Sequence, residues 1–167
     1  MKGVVGVYSK DDAVQKALNI LYGVQHRGQE SSGISAAGDH SLRTWNGPGL
    51  VSKVFHEQIK SFIHPNDYIV IGCASGENAK NGNLPPVEYE NENYKMALTL
   101  DGHITDGEGR FNEEVVGKNL LEKLKASTPD QAVAEMMKDL SDSYFSLVII
   151  FLDKATGSSE LFVARDR

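Results

Sequence analysis

Apolar and polar residues alternate along this chain in two rhythms, one of period two and one of period 3.6. Gly3 to Tyr8 is short, valine-rich and bounded by polar residues, which predicts a strand. Asp11 and Asp12 stand where a helix cap belongs. Val14, Ala17, Leu18 and Leu21 then share one helical face, with Gly23 as a stop. After a polar connection, Ile34 to Ala37 reads as a strand, Asp39-His40 as a turn and Leu42 to Trp45 as the hairpin partner. Gly47-Pro48-Gly49 breaks the chain before a short helix from Val51 to Phe62, which His64-Pro65-Asn66-Asp67 ends. Tyr68 to Ala74 is a strongly apolar strand. Ser75 to Asn93, with Asn81-Gly82 and Pro85-Pro86, reads as a long loop. Tyr94 to Leu100 is a strand running into Asp101-Gly102, and Glu113 to Leu124 is a helix. Thr128-Pro129-Asp130-Gln131 is a capping box with proline at the first helical position. It opens a helix expected to bury Val133, Met136, Met137 and Leu140. Tyr144 to Leu152 is nearly all apolar, as a strand covered on both faces would be. Asp153 to Ser159 turns, and Leu161 to Ala164 pairs back. Hairpins outnumber strand–helix–strand units, so the pattern predicts an α+β fold of layered sheets flanked by helices.

Composition narrows the function classes. The 167 residues suffice for one domain, 1–167, with a core that needs no staples. A net charge of −6, with no basic run, argues against a nucleic-acid partner. No apolar run approaches a membrane span, and no apolar core follows the first lysine as a signal peptide requires. The single cysteine, Cys73, excludes an internal disulfide and suits a reducing cytoplasm; it reads as a small core residue. The five histidines are scattered, so neither a metal nor any other cofactor is expected.

The densest chemistry lies in the first polar connection, Gln25-His26-Arg27-Gly28-Gln29-Glu30-Ser31-Ser32-Gly33-Ile34. Connections of this kind often carry sites. Composition alone favours a solvated helix-to-strand loop. This stretch, however, resembles the signature of the class II glutamine amidotransferases, in particular the amidophosphoribosyltransferase branch. Met1 to Val7 is similar to that family's Met-Cys-Gly-Ile-Val-Gly-Val, Gly47 to Phe55 resembles its next block, and Arg165-Asp166-Arg167 resembles its Arg-Asp-Pro. The resemblance implies the αββα four-layer sandwich of the N-terminal nucleophile hydrolases, with Gly3–Tyr8 and Tyr144–Leu152 among its central strands.

It also implies which positions would carry glutaminase chemistry. The nucleophile's place, a thiol in the family, is held by Lys2, whose amine is ordinarily protonated at neutral pH. Lys2 is expected to be an exposed charge, and its bulk is expected to keep Met1 in place. The substrate-carboxylate arginine falls at Ser75, which cannot make a bidentate charged clamp; no arginine occurs between Arg43 and Arg110. The oxyanion Asn-Gly pair falls on Asp101 and Gly102. A carboxylate there offers acceptors where a donor is required. Asn81-Gly82-Asn83-Leu84 copies the family's Asn-Gly-Asn-Leu but reads as a turn. The amine-binding aspartate falls at Asn112. His26, Arg27, Gly28 and Glu30 of the signature loop are assigned to packing and internal hydrogen bonds.

The expected function is therefore a catalytically degenerate amidotransferase domain with a binding or regulatory role. The alternative is a glutaminase domain or subunit of an amidophosphoribosyltransferase, supplying ammonia from glutamine. No phosphoribosyl-diphosphate motif occurs in the chain, so it is not expected to use that substrate alone. The implied partners are a second copy of the chain or a phosphoribosyltransferase or synthase, with the acidic stretch Glu88 to Glu92 as the contact.

Overall fold

The computed structural model describes residues 1–56, 59–76, 84–104, 112–140 and 143–165. The element order is β1 (Lys2–Tyr8), α1 (Ala13–Val24), a 3-10 turn (Gln25–Arg27), β2 (Ser31–Gly38), β3 (Ser41–Pro48), α2 (Val51–Val54), α3 (Ile59–Phe62) and β4 (Ile69–Ser75). β5 (Val87–Glu90), β6 (Tyr94–His103), α4 (Asn112–Lys123), α5 (Pro129–Asp139), β7 (Tyr144–Asp153) and β8 (Ser159–Arg165) complete it.

Two antiparallel four-stranded sheets result. The first has the order β1-β4-β2-β3 and the second β5-β6-β7-β8. Three apolar layers hold them. Val5, Val7, Val70 and Ala74 pack with Ala13, Val14, Ala17, Leu18 and Leu21 of α1. Ile69, Ile71, Ala97, Val148 and Ile150 fill the space between the sheets. Met96, Leu98, Leu147 and Ile149 pack under Val116, Leu120, Ala132 and Met136 of α4 and α5. This is the αββα sandwich. β7 is an inner strand of its sheet, but β1 is an edge strand among the described residues rather than a central one.

Several boundaries depart from those the sequence suggests, each for a local reason. Asp12 precedes α1 with a φ of 51° and no side-chain cap, and the helix runs through Gly23 to Val24. β2 starts at Ser31, because Ser31 and Ser32 already pair with β3 and β4. β3 runs through Gly47 to Pro48, and the break comes at Gly49, whose φ of 107° favours glycine. The single helix expected over Val51 to Phe62 is two one-turn helices. Phe55 leaves the helical region (φ −108°, ψ 65°), and its side chain is buried in the first core. The long loop after β4 contains β5, whose four residues pair with Lys95 to Leu98. At α5 the Gln131 side chain accepts a hydrogen bond from the Thr128 backbone at 3.3 Å, closing the capping box. Among the described residues, no helix is long and apolar enough to cross a membrane.

Candidate functional site

Strand alternation assembles the site. Side chains two apart on a strand share a face. Val4 on β1, Ile69 and Ile71 on β4 and Ala97 on β6 face the layer between the sheets. Lys2, Cys73, Ser75, Thr99 and Asp101 continue those same faces toward one end of the strands. The central layer is thus apolar along most of its length and polar at one end. Lys2, Ser75 and Thr99 are buried there.

Lys2 is 3% exposed, not the surface charge its position at the start of the chain suggests. Register explains this: Lys2 pairs with Ser75 and points its side chain into the sandwich. Its Nζ donates to Glu113 Oε1 at 2.7 Å, and both side chains are almost wholly buried. An ammonium buried without such a partner would be strongly destabilising. The Lys2 backbone N–H donates to Asp101 Oδ1 at 2.7 Å. Arg27, on the 3-10 turn, donates from Nε to the Lys2 carbonyl at 3.0 Å and from Nη2 to Asp101 Oδ2 at 2.7 Å. Four charged residues from four elements therefore converge where the family resemblance places a thiol and an oxyanion hole.

Glu113 is the residue that sequence reasoning missed. A signal existed, since Glu113, Val116, Gly117, Leu120 and Leu124 fall on one helical stripe, and all are buried. The reason for its position lies in β5. That strand stops pairing at Leu98, leaving Thr99 to His103 of β6 without a strand neighbour on that side among the described residues. The start of α4 hydrogen-bonds to this part of β6. Asn112 donates from Nδ2 to the Gly102 carbonyl at 3.0 Å and accepts from the Ile104 N–H at 3.3 Å. Burial pushes the Glu113 carboxyl above the usual carboxylate range, against the opposing attraction of Lys2. Its Oε2 has no hydrogen-bond partner among the described residues.

The remaining sequence-derived positions are spread around this centre. Gly28 lies so close to β4 that a Cβ would meet the Ser75 carbonyl carbon at 2.3 Å. Gly102 has a φ of 134°, and a Cβ there would meet the Tyr144 carbonyl oxygen at 2.2 Å. His26 is exposed and donates from Nδ1 to the Gly23 carbonyl at 3.1 Å. Glu30 is exposed. Its backbone, not its carboxylate, ties the loop down, with its N–H donating to Ser75 and its carbonyl accepting from Gly49. Gln25 adds a bond not foreseen, accepting from the Val51 N–H at 2.7 Å. Cys73 is fully buried, and burial pushes its thiol up to about 12, against the smaller pulls of the Thr99 hydroxyl and Lys2. Asn81, Gly82 and Asn83 lie outside the described residues. In the acidic stretch, Glu88 pairs with Lys95 at 2.8 Å and Glu90 with Lys154 at 2.9 Å. Among the described residues, no cluster of three metal-ligating side chains occurs.

No protein-family model matches the chain. Individual proteins do. The amidophosphoribosyltransferase of Methanothermobacter thermautotrophicus is 35% identical over 137 residues, covering 78% of this chain and 28% of that protein. A chloroplastic amidophosphoribosyltransferase of Arabidopsis thaliana is 31% identical over 167 residues, covering 91% of this chain and 31% of its own length. The chain thus spans about a third or less of these curated relatives. In structure it is similar to the glutamine phosphoribosylpyrophosphate amidotransferase of B. subtilis, solved with ADP and GMP. The TM-score is 0.73 at 22% identity, with 99% of this chain and 37% of that chain covered. The chain is homologous to the N-terminal glutamine amidotransferase region of the amidophosphoribosyltransferases.

Proposed function

We propose that this domain does not hydrolyse glutamine and acts instead by binding. The observation that carries this reading is the buried Lys2–Glu113 pair, 2.7 Å long, at the nucleophile's place. A protonated amine held by a carboxylate has no lone pair to attack an amide carbonyl. Beside it, the Asp101 carboxylate presents negative charge where a developing oxyanion would need donors. Ser75, at the place of the carboxylate-binding arginine, lacks a guanidinium. The domain's partner is proposed to be a second copy of itself or a phosphoribosyltransferase. The relatives' shared name favours the alternative, a glutaminase domain that feeds ammonia to a transferase.

Ammonia release from glutamine separates the two readings. The purified chain is expected to match buffer. Lys2→Cys alone is expected to stay silent, because residues that act as a unit contribute far from additively. Ammonia release above background that Asp101→Ala abolishes would establish a working glutaminase and overturn the proposal.

A further inference from the structure

We infer that the open cleft above the Arg27–Asp101 pair binds a small organic monoanion with a flat apolar part, held by Arg165 and Arg27 and stacked on Tyr144. The inference rests on the reading of the chain as a binding domain and adds the chemistry of its ligand. The cleft has a volume of about 440 Å³, and Arg27, Asp101, Gly102, Tyr144, Ser146 and Arg165 line it. That size falls in the range of small-molecule sites.

Charge selects an anion. The whole chain carries −6, yet two guanidiniums face a single carboxylate in this cleft. Both Asp101 oxygens are already engaged, Oδ1 by the Lys2 N–H and Oδ2 by Arg27. Arg27 commits Nε and Nη2 to Lys2 and Asp101; its side chain is 43% exposed, and its Nη1 has no partner among the described residues. Arg165 is exposed and forms no ion pair among the described residues. Guanidiniums match planar carboxylates through paired N–H donors.

The flat part follows from Tyr144. Tyr144 lines the same cleft and is 65% exposed, so its ring is open to a ligand. The His103 ring lies 6.1 Å away at 41° and steadies it. An exposed ring beside guanidiniums offers stacking area that an inorganic ion cannot use.

The test titrates the full chain with benzoate, neutral benzamide and inorganic phosphate, following the amide resonances of Gly102 and Ser146. Benzoate is expected to give saturable shifts, with benzamide about tenfold weaker or worse for want of the charge-assisted contact. Arg165→Ala is expected to weaken benzoate about tenfold without moving the melting temperature, since a lone exposed charge adds little stability. Tyr144→Ala is expected to weaken benzoate and leave phosphate unchanged. Equal shifts from benzoate and benzamide would overturn the inference. So would the absence of saturation below about 10 mM, or indifference of benzoate to Arg165→Ala. Phosphate binding as tightly as benzoate, with no effect of Tyr144→Ala, would refute the flat apolar part. None of these outcomes bears on ammonia release, so this inference and the non-catalytic reading fail separately.

Discussion

At the scale of single residues, the charge at Lys2 is compensated by a neighbour 111 positions away in the chain. Local patterning around Lys2 could not reveal this, because the first residues of most chains are solvated. The pairing carries a pH dependence with a definite sign. Glu113 has its folded-state pKa raised by burial, with Lys2 opposing. The contribution of a group raised in this way is fully present below its unfolded value. It is lost as pH rises through the folded value. Lys2→Met removes the opposing attraction and raises Glu113 further. The variant's deficit relative to the wild type is therefore expected to grow as pH rises past the wild type's folded Glu113 value, which burial holds above the usual carboxylate range. Breaking a buried pair costs about 3–5 kcal/mol, so that is the deficit expected near neutrality. Urea denaturation of both proteins at about pH 4.5 and about pH 7.5 measures it. A deficit that does not change with pH would mean that Glu113 is not the titrating group.

At the scale of elements, the start of α4 hydrogen-bonds the end of β6 beyond its pairing with β5. Asn112 both donates to Gly102 and accepts from Ile104, which a side-chain amide can do and a carboxylate cannot. Asn112→Ala is expected to lower stability by about 1 kcal/mol per lost bond, reduced by solvent because the Gly102 bond is exposed. Asn112→Asp keeps the acceptor and is expected to lose about half as much. For a chain of this size about 1 kcal/mol corresponds to about 2–4 °C in melting temperature, so the two variants resolve in a thermal melt. Equal losses would show that the Ile104 bond adds nothing, and no loss in Asn112→Asp would show the same of the Gly102 bond. The same junction marks the limit of what periodicity could show. The buried face of α1, the apolar run of β7 and the capping box of α5 were legible because each is a strong repeating or local signal. β5 was not, since Val87-Glu88-Tyr89-Glu90 is half charged and its pairing with β6 is a long-range fact. The site was legible as positions but not as contacts. Lys2, Arg27 and Asp101 could be named from family motifs, whereas their mutual hydrogen bonds depend on strand register and on α4.

At the scale of the whole molecule, three apolar layers enclose one polar end, and Cys73 sits where the central layer changes character. It pairs with Val4 on one side and Gly33 on the other, within the inner part of the first sheet. It is 0% exposed, and its thiol is raised to about 12 by burial. A thiolate is the reactive form, so both access and ionisation oppose reaction in the folded state. β4 is hydrogen-bonded to β1 and β2 along its length and covered by α1 and the second sheet. Thiol labelling is therefore expected to require global unfolding. For a domain with ordinary stability of about 5–15 kcal/mol, the labelling rate should fall at least about a thousandfold below that of an unfolded thiol. Rates measured with a thiol reagent across a urea series should follow the unfolding free energy, with the same dependence on urea as the loss of far-ultraviolet circular dichroism. Lys2→Met should accelerate labelling by the factor its stability deficit predicts, because the same unfolded state is sampled. Labelling that is fast in the absence of urea, or insensitive to it, would show that the polar end of the sandwich opens by itself, and that the layer holding Lys2, Glu113 and Asp101 is separable from the rest of the core.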